Sequence, residues 1–70
     1  MKIIIKLNSI LEERGISRRE FARMTGIRHP TINEMCKNQT KRIPLDNLAV
    51  ICEILNVNIQ DVLELVNIDE

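Results

Sequence analysis

Residues 17–37, SRREFARMTGIRHPTINEMCK, carry more start and stop signals than any other stretch of the chain. Ser17 is a good helix N-cap, and Glu20 three residues later completes the pattern of a capping box. Phe21 and Ala22 fall on the inner face of the helix opened there. Gly26 can take the positive φ with which that helix ends. Pro30 then opens a second helix. Proline suits the first helical position and biases the residue before it away from helical backbone, so His29 reads as the N-cap and the helix runs from Pro30 to about Lys37. Ile32, Met35 and Cys36 share its inner face, while Thr31, Asn33, Glu34 and Lys37 point outward. Any fold for this chain must be built around two short helices joined by a tight turn at Gly26 and Ile27.

The rest of the chain supplies the elements that surround this pair. Met1–Lys6 (MKIIIK) is β-branched and reads as a short extended strand with no obvious partner; such an edge invites pairing with another chain or with the C-terminal tail. Leu7, Ile10 and Leu11 have helical spacing, which predicts a first helix over Leu7–Arg14 with Gly15 as its stop. A helix over Arg18–Thr25 follows Ser17. Asn38–Pro44 (NQTKRIP) is a polar, basic loop. A fourth helix is expected over Leu45–Leu55, ended by Asn56, and a fifth over about Ile59–Val66, capped by Asn58, with Val62, Leu63 and Val66 inward. The expected architecture is all-α: one compact five-helix domain spanning residues 1–70, with a short N-terminal strand.

At 70 residues the chain buries roughly 60% of its unfolded surface, enough for one small core. Phe21 is the single aromatic residue, so that core is aliphatic. Ile3–Ile5 is far too short for a signal-peptide core, and no segment approaches the roughly 20 apolar residues of a membrane span. A cytoplasmic protein is expected. Cys36 and Cys52 read as reduced, partly buried small hydrophobes. With His29 they make too few ligands for zinc, so neither metal nor cofactor is expected. One histidine and no glycine-rich phosphate loop leave no catalytic constellation, and no enzyme is expected.

Charge is distributed unevenly. The net charge is zero and the pI about 6.6, which for the whole chain argues against nucleic acid. Yet all ten Lys and Arg lie within residues 1–42, against Glu12, Glu13, Glu20 and Glu34. Residues 43–70 contain six acids and no base. A fold that separates these parts in space gives one face that attracts phosphate and one that repels it.

The ordered motifs resemble the lambda-repressor-like, Cro and Xre-type helix-turn-helix regulators. The resemblance covers about Leu7–Leu65. It is carried by the polar cap, Glu20-Phe21-Ala22 and Gly26-Ile27, then by Thr31-Ile32-Asn33-Glu34-Met35 and a basic loop. Leu45-Asp46-Asn47-Leu48, Ile51–Val57 and Asn58–Leu63 complete it. The short form with an Ile-rich N-terminal strand is similar to small stand-alone bacterial and prophage regulators. The chain departs from the family at Arg18, where a glutamine that helps hold phosphate is usual, and at Arg28-His29-Pro30, where the recognition helix usually opens on polar residues. Arg19 and Arg23 make its second helix unusually basic.

The resemblance implies a sequence-specific, double-stranded-DNA-binding repressor whose third helix enters the major groove. Arg28 can then reach guanine or a phosphate, and His29 a base edge. Thr31 can contact thymine or phosphate, Asn33 adenine or phosphate, and Glu34 the amino group of cytosine. Lys37, Asn38, Thr40, Lys41 and Arg42 are placed for backbone phosphate, as is Arg18 in the first turn of the second helix. One small module makes few contacts, so a homodimer on an inverted repeat is expected, joined through Ile3–Ile5 or the Leu65–Ile68 region. The alternatives are blander. Arg19, Arg23 and Glu34 can be solvated surface, and Lys2 and Lys6 strand gatekeepers. The whole domain can instead be a protein-interaction module, antirepressor or antitoxin-like, working through its acidic half.

Overall fold

A computed structural model describes residues 1–68, in the order β1 (Lys2–Ile5), α1 (Leu7–Arg14), α2 (Arg18–Thr25), α3 (His29–Cys36), α4 (Leu45–Leu55), α5 (Ile59–Val62) and β2 (Leu63–Val66). Asp69 and Glu70, counted above among the acids, lie outside the described residues.

Most boundaries follow from local chemistry. Gly15 and Gly26 end α1 and α2 in the left-handed region, at φ 68° and 76°. Asn56 does the same for α4 at φ 57°; a short polar side chain tolerates that conformation better than most. The Ser17 hydroxyl accepts the Glu20 N–H at 3.0 Å. Glu20 does not return the bond, because its carboxylate pairs with Arg23, so half of the expected capping box forms. At α5 the Asn58 N–H donates to the Asp61 carboxylate at 2.9 Å.

Phe21, Leu7, Leu11, Ile32, Met35, Ile51, Leu55 and Val62 are almost wholly buried. They bring side chains from α1 to α5 into one aliphatic core around the single ring. Ile27 is buried at the turn, while Leu48 packs against the core from its edge. Arg14 reaches from α1 to the carbonyl of Leu55 at 2.6 Å, satisfying an orphan acceptor at the end of α4.

Two expectations are corrected. The domain is not all-α, because the predicted fifth helix stops at Val62 and the chain continues as β2, antiparallel to β1 with Lys2 opposite Val66 and Ile5 opposite Leu63. Leu63–Val66 (LELV) fits a two-residue period as well as a helical one. What decides is the backbone of β1, whose N–H and C=O groups need partners that a longer α5 does not offer. The Lys6 N–H meets the Val62 carbonyl at 2.6 Å where α5 gives way to β2. The second correction is at α3. Its N-cap is Arg28, with φ −61° and ψ 140°, and His29 is already helical, with Pro30 in the second position. Pre-proline bias is only a preference. Here the turn outweighs it: Ile27 is buried and the extended Arg28 leads directly into α3.

Candidate nucleic-acid interface

The amphipathic pattern of α3 puts Ile32, Met35 and Cys36 into the core. Arg28, Glu34 and Lys37 are exposed, and His29, Thr31 and Asn33 are half-buried. Past Lys37 the chain takes a left-handed turn at Asn38, φ 58°, and returns as the basic loop. Glu34, Gln39, Thr40, Lys41 and Arg42 together line one open groove of about 570 Å³. The structure therefore brings Glu34 and the loop side by side, with Arg28 and His29 at the opposite end of the same short helix. The Thr40 hydroxyl donates to the Arg42 carbonyl at 2.7 Å, which shapes the loop that presents Lys41 and Arg42.

Three more of the expected contact residues bond to other elements of the protein. Asn38, expected to face phosphate, turns its amide to β1 instead. Its Oδ1 accepts the Ile5 N–H at 2.7 Å and its Nδ2 donates to the Ile5 carbonyl at 3.0 Å. With both ends of the amide in use, the Asn38 side chain acts as a clamp on the strand. Arg18 donates from Nη1 to Asn33 Oδ1 at 2.8 Å and from Nη2 to Asn8 Oδ1 at 3.0 Å. That joins α1, α2 and α3 and fixes the orientation of Asn33.

Asn8 and Arg14 had no place in the sequence reading, because a hydrogen bond between helices leaves no periodic trace. The one available signal for Asn8 is a half-buried amide facing an arginine of another helix, visible only once the helices are packed. Beneath this joint lies Cys36. Burial raises the pKa of its thiol above the ordinary value, opposed by the Arg18 guanidinium and reinforced by the Glu12 carboxylate. Both cysteines are free thiols.

A second surface is apolar. Ile3, Ile5, Ile43, Leu45, Leu48 and Leu63, with Thr40 and Lys41 at its border with the basic loop, line a mostly apolar groove of about 400 Å³ where the sheet meets the start of α4. Ile3 and its cross-strand partner Leu65 are 58% and 61% exposed, and Leu45 is 80% exposed. Among the described residues no helix is long and apolar enough to cross a membrane.

Two short helices set by a glycine turn, the second with a polar outer face beside a basic loop, define a helix-turn-helix domain. The chain belongs to the Cro/C1-type HTH DNA-binding domain family, which it matches over residues 6–67. In three dimensions it is similar to a protein from Bacteroides fragilis solved by crystallography and described as a "putative DNA-binding protein". The TM-score is 0.78 and the identity 25%, over 90% of this chain and 100% of that one. No curated protein sequence matches it.

Proposed function

We propose that this DNA-binding domain is a sequence-specific transcriptional repressor that lays α3 in the major groove of an operator and acts in the cytoplasm as a homodimer on an inverted repeat. The observation that carries the reading is the clustering of exposed bases around α3. Arg28 stands at its N-terminal end, with Lys37, Lys41 and Arg42 at and beyond its C-terminal end. An eight-residue helix is about 12 Å long, the width of the B-form major groove. On this reading Arg28 and His29 meet base edges, with Thr31 and Glu34 following along the groove floor. Lys37, Thr40, Lys41 and Arg42 hold phosphates on one flank and Arg18 on the other.

Dimerisation follows from size and from the apolar surface. One module of this kind buries about 600–1,000 Å² on DNA, so tight binding calls for two. The exposed Ile3, Leu45 and Leu65 supply a surface for the second copy.

Binding of the full chain to a random-sequence duplex pool, titrated with salt and followed by selection, tests the proposal. Steep loss of affinity with salt plus an enriched palindrome supports it. Lys37→Ala then weakens binding to all sequences, while Arg28→Ala changes base preference. No binding at about 50 mM salt overturns it and leaves the protein-interaction reading.

A further inference from the structure

We infer that Asn8 and Asn33 are positioning residues that hold the Arg18 guanidinium as a pre-set phosphate clamp where α1, α2 and α3 meet. The inference rests on the DNA-binding reading above and adds to it the device that orders one contact.

The hydrogen-bond geometry leaves little freedom. Arginine offers five N–H donors and no acceptor, so the atoms facing Arg18 from both asparagines are their carbonyl oxygens, at 2.8 Å from Asn33 and 3.0 Å from Asn8. The amide orientations are therefore dictated by chemistry. Asn8 is held from behind as well: its Nδ2 donates to the Glu12 carboxylate one turn along α1, at 3.2 Å. The chain of bonds runs Glu12, Asn8, Arg18, Asn33 and draws on three helices.

What this network omits is the informative part. The direct partners of Arg18 are the two neutral amides and the Cys36 thiol, which burial keeps in its protonated, neutral form. Among the described residues the ion pairs join Lys6 to Glu64 and Arg23 to Glu20, and neither involves Arg18. The guanidinium is thus ordered by hydrogen bonds while its charge stays uncompensated at salt-bridge range. A surface arginine that seizes a phosphate loses rotamer freedom at that moment; one already anchored by two amides lost it on folding. The asparagine oxygens take two of the five donors and the Cys36 sulfur another, so at most two remain for a phosphate oxygen. A network serving only to tie helices together has no need of an uncompensated cation. Its neutral partners suit a cation that must still accept an anion.

Asn33 thereby changes role. Its oxygen is committed to Arg18, and it acts on DNA through that side chain rather than as an independent reader of adenine.

The test compares the full-length parent with Arg18→Gln, Asn8→Ala and the double variant. Each is titrated on one random-sequence duplex across a range of salt, after circular dichroism has shown all to be folded. Arg18→Gln is expected to weaken binding several-fold and lower the salt slope by about one. Asn8→Ala is expected to weaken binding with the parent's slope, since the charge is still present but no longer held. In the Arg18→Gln background Asn8→Ala is expected to do nothing further. An unchanged slope in Arg18→Gln overturns the inference, because Arg18 then touches no phosphate. An equal loss from Asn8→Ala in both backgrounds also overturns it, because Asn8 then acts independently of Arg18. Asn33→Asp, which keeps an oxygen toward Arg18 but supplies the missing carboxylate, is expected to weaken binding with a reduced slope; parent-like affinity and slope in that variant count against the clamp. A parent that binds no duplex overturns the DNA reading itself, whereas a binding parent with either adverse result overturns the clamp alone.

Discussion

The α2–α3 pair and the β1–β2 sheet are stabilised in opposite ways. In the pair almost every determinant lies within a few residues of what it controls: Ser17 caps the helix it precedes, Gly26 ends it, and Pro30 sits in the first turn of the next. The sheet joins residues about sixty positions apart, Lys2 with Val66, and one of its strands is clamped by Asn38 from thirty-three residues away. Their outer surfaces differ too, polar and basic on α3 and apolar on the sheet at Ile3 and Leu65. The ends of α2 and α3 are set by neighbouring residues, whereas the sheet closes the domain from its two ends and, on the proposed function, offers the apolar surface for a second copy.

Four changes would break or sharpen this contrast. The largest effect is expected at Phe21, fully buried in the core and its only aromatic ring. Phe21→Ala should remove about 3–5 kcal/mol, most of what a domain of this size possesses. Urea denaturation followed by circular dichroism should show a lost or barely cooperative transition, and a well-folded variant would mean that the aliphatic residues alone suffice. Next comes the clamp. Asn38→Ala loses two hydrogen bonds and leaves alanine in a left-handed conformation, at a cost of about 1–3 kcal/mol. Hydrogen exchange at the Lys6 amide, bonded to Val62, should accelerate more than exchange within α4. Equal acceleration would show that sheet and helices open as one unit. Asn38→Gly relieves the backbone but not the lost bonds, and should fall between alanine and parent. Ser17→Ala should cost about 1 kcal/mol, read as a lowered urea midpoint. Smallest in stability is Leu65→Glu on the exposed face of β2, expected within about 0.5 kcal/mol of the parent. If the proposed dimer uses this face, sedimentation should nevertheless report a monomer for the variant and a dimer for the parent, and an unchanged mass would move the interface elsewhere.

Cys36 adds a pH dependence to the helical side of the comparison. Its pKa is raised in the fold, so the protonated thiol is the form the fold favours. That contribution is fully present below the ordinary value of 9.0 and is lost as pH rises through the folded value. Urea midpoints from pH 7 to 10 should fall at the alkaline end in the parent and fall less in Cys36→Ala.

The same contrast explains what could be read from the amino-acid order. Helices α1, α2 and α4 carry their stop signals in sequence at Gly15, Gly26 and Asn56, and their bounds were legible. Leu63–Val66 was not, because its apolar spacing satisfies helix and strand alike and the deciding partner lies at the other end of the chain. At the candidate site the outward positions of α3 were legible from spacing. That Asn38 faces a strand and Asn33 an arginine was not, since a side-chain amide looks the same in sequence whether it points to solvent or inward.

The pairing of β1 with β2 also sets an order of events during synthesis. β1 is made before any helix and β2 after all five, so the first strand leaves the ribosome with its own partner not yet translated. In the interval its three consecutive isoleucines lack that partner strand. Lys2 and Lys6 bracket that apolar run with charge while it waits.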